Sequence, residues 1–221
     1  MKKLKIPSNL TALAYTSIKE YILDGRLDEE SRLTEDFLSN QLGISKSPIR
    51  EALNRLETEG LIRIEPRKGA YLRRLSVDEI NELYDFREAL EVHVVRTAKL
   101  TPALLTELRQ SLKRQRTLLK ANDKAHYIRE DALFHAKLAQ STRNSYLCSV
   151  LENIQNQIWL SRRTSYDLSS SSAPDHHDAI LKALENSDSD KAEQAMRAHI
   201  RNVRERLVQS LEQKVTATIL Q

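Results

Sequence analysis

The sequence predicts a mainly α protein: three helices and a small β-hairpin at the N-terminal end, then an antiparallel all-α bundle of about six helices. Apolar residues recur at helical spacing through most of the chain. Only 4 Gly and 5 Pro occur among 221 residues, too few turn residues for a sandwich or barrel. Partial apolar and charged alternation is found in one short stretch, residues 61–73.

Leu10, Ala14, Ile18 and Ile22 mark the first helix, which Gly25 stops. Thr34 is the expected N-cap of a second, short helix, with Glu35 and Asp36 in its first turn and an end near Leu42-Gly43. A third runs from Ser45 to about Glu59 and is closed by Gly60. Leu61 to Glu65 and Ala70 to Arg73 then pair as a hairpin, and Pro66-Arg67-Lys68-Gly69 is its basic turn. Ser76-Val77-Asp78-Glu79 is a capping box that opens the next helix. The domain boundary should therefore fall near residues 74–78.

Leu83, Arg87, Leu90 and Val94 form one stripe of the fourth helix, and Thr101-Pro102 starts the fifth. Further helices are expected over about 123–141, 144–163, 175–186 and 190–214, with the serines from Ser169 to Ser172 as a mobile loop.

Net charge is +4 and the pI near 9.1, which suits a nucleic-acid partner but many enzymes equally. The single cysteine, Cys148, rules out an intramolecular disulfide framework and fits a reducing cytosol; it is expected as a small core residue. Met1-Lys2-Lys3-Leu4-Lys5 is basic, but no apolar stretch follows, so it does not read as a signal peptide. Nothing approaches the ~20 apolar residues of a membrane span. The expectation is a cytoplasmic protein with no membrane partner.

Helix, short helix, tight turn, helix, hairpin is the winged helix-turn-helix plan. Its third helix fits the major groove and its basic hairpin tip, here Arg67 and Lys68, reaches phosphates or the minor groove. Ser45 and Ser47 stand at the start of that helix, where hydroxyls and free amides bond phosphate. Lys46 and Arg50, four apart, project from one face, while Ile49, Leu53 and Leu56 face inwards. Periodicity alone equally allows a helical hairpin whose cations are a solvated face.

Residues 8–75 closely resemble the winged-helix domain of the GntR family of transcription regulators. Leu33-Thr34-Glu35 and the run Leu42-Gly43-Ile44-Ser45-Lys46-Ser47-Pro48-Ile49-Arg50-Glu51-Ala52-Leu53 carry the likeness, continued by Leu56 to Ile62 and by Arg67-Lys68-Gly69-Ala70-Tyr71. The resemblance implies that Ser45, Lys46, Ser47, Arg50 and Gly69 contact double-stranded operator DNA. Two departures separate this chain from its relatives. Arginine is common in the family where Lys46 stands, and lysine lacks the bidentate fork that grips guanine. Some members use a basic residue near Asp36, a role that an acid cannot fill.

In the second part, Asp131 and His135 lie on one helical stripe with Ile128, Ala132, Leu138 and Ala139. His177 precedes Ile180, Leu181 and Leu184, and His199 falls between Ala192, Ala195, Met196 and Val203, Leu207. One carboxylate and three imidazoles from three helices suit a divalent ion such as Zn, Ni, Mn or Fe. On the residues alone, a hydrogen-bonded polar cluster of purely structural role is an equal alternative. His176 beside His177 leaves a second ambiguity, in which the spacing favours His177. His93 and His126 read as structural or surface residues, and Trp159 as packing or interface, while Arg162-Arg163 fit either a pocket wall or a helix end. Arg87 lies on an apolar stripe and needs an anion, either Glu91, a neighbouring helix or a bound carboxylate.

Residues 79–210 resemble the FCD-type effector domain of the FadR subfamily, through Phe86-Arg87-Glu88-Ala89-Leu90-Glu91, Asp131 to His135, His177 to Leu181 and Ala195 to Ile200. The resemblance implies a homodimer, a divalent metal on Asp131, His135, His177 and His199, and a small organic-acid effector held beside it by Arg87. A repressor is the implied role. The rival, a metal-dependent hydrolase with a metal-activated water, leaves the N-terminal motif unexplained, and no enzyme activity is expected.

Overall fold

The computed structural model describes residues 8–27, 31–169 and 172–219, with side chains over 10–27, 31–162 and 172–213. The chain divides after Arg74 into two compact units. The first holds α1 (Ser8–Leu23), α2 (Glu35–Leu42), α3 (Lys46–Thr58), β1 (Ile62–Glu65) and β2 (Gly69–Leu72).

Its core forms because Ala14, Ile18 and Ile22 line one face of α1 and Ile49, Ala52 and Leu56 one face of α3, all buried. The Tyr15 hydroxyl bonds the Glu59 carboxylate at 2.7 Å, and Arg55 lies over the Tyr15 ring at 3.7 Å. Thr34 caps α2 by accepting from the Phe37 amide at 3.1 Å, and Gly43 ends it in the left-handed region at φ 64°. A two-residue turn before Ser45 then opens α3.

In the hairpin, Ile62 faces Leu72 and Glu65 faces Gly69 across an antiparallel register. Periodicity gave no hint of a third rung. Leu33, just before α2, exchanges two 2.8 Å backbone bonds with Ala70. A single residue has no alternation to read, but Leu33 is buried and its backbone needs partners. This rung also explains Gly69, which has φ 120° and whose Cβ would come within 2.8 Å of the Leu33 carbonyl oxygen.

The second unit is all helical: α4 (Val77–Thr97), α5 (Pro102–Lys120), α6 (Lys124–Ser141), α7 (Ser145–Ser169), α8 (Ala173–Glu185) and α9 (Ser189–Ile219). Three of the starts have a local cause in a capping side chain. Ser76 and Glu79 form the reciprocal capping box of α4, Thr101 caps α5 with Pro102 at its first position, and Asp123 caps α6. Two helices outrun their expected ends, since α7 continues to Ser169 and α9 to Ile219. Ser169 therefore ends a helix, Ser172 stands at the N-cap position of α8 without a side-chain cap bond, and residues 170 and 171 of the expected loop lie outside the described residues.

The core of this unit runs from Ile80 and Tyr84 on α4 through Phe134 and Leu138, Ile154 and Ile158, and Ile180, to Met196 and Ile200. Cys148 is half-buried against it. Trp159 packs beside Tyr127 and Ile128. Among the described residues no helix is long and apolar enough to cross a membrane.

Candidate nucleic-acid interface and metal centre

Ser45, Lys46, Ser47 and Arg50 are all exposed at the N-terminal end of α3, and Arg67 and Lys68 are exposed at the hairpin tip, with Gly69 half-buried behind them. Ser45 occupies the N-cap position, yet its side chain makes no cap hydrogen bond, which leaves the first amides of α3 available to an anion. Arg67 has φ 65°, in the left-handed region, within the turn that joins the two strands.

The expected cations do not stand alone. Arg50 donates through Nε and Nη2 to the two oxygens of Glu35, at 2.8 and 2.7 Å, and Lys46 Nζ lies 2.6 Å from Asp36. Two acids in the first turn of α2, suited there to the helix dipole, thus neutralise the two cations of α3. These pairs are solvent-exposed and worth little individually, so a polyanion can compete for the cations.

In the second unit, Asp131 and His135 from α6, His177 from α8 and His199 from α9 are buried, and one ligand atom from each lies within 4.8 Å of all the others. His177 Nε2 is 3.2 Å from His135 Nε2, 3.3 Å from His199 Nε2 and 3.7 Å from Asp131 Oδ1. His176 is only partly buried and outside this group, His93 is exposed, and exposed His126 pairs with Asp123 at 2.8 Å. The 0% exposure of His177 decides between the neighbours.

The partners of the rings fix their chemistry. His135 Nδ1 meets the Glu91 carboxylate, and His177 Nδ1 lies 2.8 Å from Gln115 Oε1. Both partners accept only, so each Nδ1 carries the hydrogen, and in a neutral ring of that tautomer Nε2 is a bare lone pair turned towards the other. Bare lone pairs at 3.2 Å repel unless a proton or cation lies between them. Ligand atoms about 2.1 Å from one ion stand roughly 3.0–3.4 Å apart, as these nitrogens do. Asp131 adds a matching signal: Oδ2 accepts from Arg162 Nη1, while Oδ1 is buried without a hydrogen-bond partner. The residues therefore fit a divalent ion, with three imidazoles and one carboxylate oxygen as donors.

Burial pushes the His199 imidazole well below its ordinary value and that of His177 down to about 3. Burial alone would raise the Asp131 carboxyl, but Arg162 and the two neighbouring imidazoles hold it far below the carboxylate range. A pH dependence follows. The unfolded chain takes up protons on these histidines below about pH 6.5, whereas the folded metal-free chain does not. This contribution to stability is full above pH 6.5 and shrinks as the pH falls below it. Urea unfolding of chelator-treated protein from pH 7.5 to 5 should show the midpoint falling. A flat profile would mean that the folded chain takes up these protons as readily as the unfolded one.

Arg87 is 2% exposed and pairs with Glu91 through Nε at 2.7 Å, so of the partners open to it from the sequence the structure shows Glu91. Sequence reasoning left Arg162 open between a pocket wall and a helix end, and it missed Gln115. Arg162 is buried on a stripe with Leu151, Ile154 and Ile158, a spacing that could have revealed it. Gln115 shares a buried face with Leu108, Ser111 and Leu112. Phe134 stacks on the His177 ring at 4.3 Å and fixes its plane. The side chain of Arg163 lies outside the described residues.

Two family models match the chain: bacterial regulatory proteins of the gntR family over residues 10–72, and the FCD domain over residues 82–202. The gluconate operon transcriptional repressor of Bacillus licheniformis is 30% identical over 178 residues, 76% of this chain and 73% of that protein. The transcriptional repressor RspR of Escherichia coli is 29% identical over 78% of each chain, and the uncharacterised regulator YdhC of Bacillus subtilis 27% identical over 96% of each. Among solved structures, Escherichia coli McbR/YncC shares the fold with a TM-score of 0.80 at 23% identity, covering 92% of this chain and 99% of that one. A GntR-type regulator from Rhodococcus gives 0.78 at 20% identity, over 90% and 97%. The relatives are transcription regulators rather than enzymes, and the chain belongs to the gntR family of DNA-binding transcription regulators, with an FCD domain after its winged helix-turn-helix.

Proposed function

We propose that this regulator is a repressor that binds a two-fold operator as a homodimer and is controlled by a small organic acid beside a divalent metal. The domains are 8–75 for DNA and 79–210 for metal, effector and dimerisation. Ser45, Lys46, Ser47 and Arg50 face the major groove, and Arg67, Lys68 and Gly69 form the wing contact. The convergence of Asp131, His135, His177 and His199 in a dry core carries the reading, because these groups leave a cation-sized gap between bare acceptors. Two of the relatives above are named as repressors, which supports repression.

Asp131, His135, His177 and His199 would hold the ion. When bound, it would supply a Lewis-acid position for one carboxylate oxygen of the effector. The chain's own part is electrostatic and steric. Arg87 and Arg162, both buried and each already engaged by a carboxylate, would offer guanidinium N–H groups to a small acid in this core, and Phe134 and Tyr84 line it with apolar surface. Differential contact of the acid with α4, α6 and α9 then shifts the population of helix arrangements in the bundle.

The test is operator binding by metal-loaded protein against a panel of short mono-, di- and hydroxycarboxylates. One class should change DNA affinity at least about tenfold, a coupling of roughly 1.4 kcal/mol, and Arg87→Ala should abolish the response while still binding DNA. A panel without effect on wild type would count against an acid effector.

A further inference from the structure

Glu91 is a buried carboxylate, 1% exposed, with both oxygens committed. Oε1 accepts from Arg87 Nε at 2.7 Å and Oε2 accepts from His135 Nδ1. Arg87 lies one turn before it on α4, whereas His135 reaches it from α6.

Resting on the metal and effector reading above, we propose that Glu91 is a positioning residue that serves both halves of the site through one carboxylate. One oxygen fixes the guanidinium of Arg87, and the other fixes His135 as the tautomer with hydrogen on Nδ1 and a bare Nε2. Anion binding at Arg87 and cation binding at His135 are thereby coupled, because a shift of the guanidinium moves the carboxylate that orients the imidazole. A hydrogen-bonded carboxylate behind an imidazole also raises its basicity as a ligand, and loss of such a partner typically costs 10–100-fold in metal affinity.

Glu91→Gln separates this role from simple packing. The amide has the same shape but offers one acceptor and one NH2 donor. Facing His135, the NH2 moves the imidazole hydrogen to Nε2, where it blocks the ligand position. Turned the other way, it sets a donor against Arg87 Nε. Neither orientation satisfies both neighbours, although the volume is unchanged.

The experiment measures Zn²⁺ affinity of untagged full-length protein by competition with a chromophoric chelator, together with the His135 tautomer from imidazole ¹⁵N shifts of the metal-free form. Expected are Nδ1–H for wild type, an altered tautomer population for Glu91→Gln, and about 10–100-fold weaker Zn²⁺ binding in that variant. Equal affinity within twofold and an unchanged tautomer would overturn the role of Glu91 while leaving the metal site intact. A wild type that binds no Zn²⁺ would instead remove the reading beneath it. Should the variant not fold, the wild-type tautomer alone decides, and hydrogen on Nε2 would refute the proposal.

Discussion

Arg50→Ala should weaken operator binding by about tenfold to a hundredfold per half-site, since one bidentate arginine contact carries roughly 1–3 kcal/mol. In a two-fold complex both copies lose the contact, so the free-energy losses add. A second effect works in the same direction. Without Arg50, the Glu35 carboxylate that it engages at 2.7 Å is left uncompensated near the phosphates. Folding should hardly change, because the Arg50–Glu35 pair is solvent-exposed. Fluorescence anisotropy at several salt concentrations checks both parts, with weaker binding and a flatter slope of log K against log salt expected. Equal affinity for wild type and variant would remove Arg50 from the interface and leave its pairing with Glu35 as its main role.

The second large effect concerns the buried cluster. In wild type, adding an ion at about a hundred times its dissociation constant stabilises the fold by roughly 2.7 kcal/mol. For a unit of this size that corresponds to a rise in melting temperature of about 5–11 °C. His135→Ala and His199→Ala should lose this increment. Each truncation also leaves a cavity in a tightly packed core, which lowers the melting temperature with or without metal. The diagnostic quantity is therefore the difference between chelator-treated and metal-supplemented samples of each variant, read by calorimetry. A persistent metal-dependent rise in both variants would show that the ion binds elsewhere.

The helices were legible because their signals are local. Capping at Thr34, Ser76 and Thr101 and the glycines at 43 and 60 mark boundaries within a few residues. The Leu33 bridge to Ala70 was not legible, since it joins residues 37 apart by backbone bonds that leave no side-chain pattern. The site followed the same division. Asp131, His135, His177 and His199 stood out as polar groups on apolar stripes, and the structure brings all four together. Arg162 sits on such a stripe too, but beside Arg163 it reads equally as a pocket wall or a helix end until its partner Asp131, 31 residues away, is seen. Gln115 is a common helix former whose buried role depends on His177, 62 residues away. The pairing of Lys46 and Arg50 with Asp36 and Glu35 likewise spans two helices across a turn, where no periodicity links the partners.

The most direct test of the metal-linked reading is elemental analysis of the wild-type protein, produced without a histidine tag and dialysed extensively. The expected result is about one divalent ion per chain, drawn from zinc, nickel, manganese or iron, that falls to background in His135→Ala and His199→Ala. Metal-free wild type that also fails to take up any of these ions on titration would contradict it, and would make the buried histidines and Asp131 a polar cluster of purely structural role.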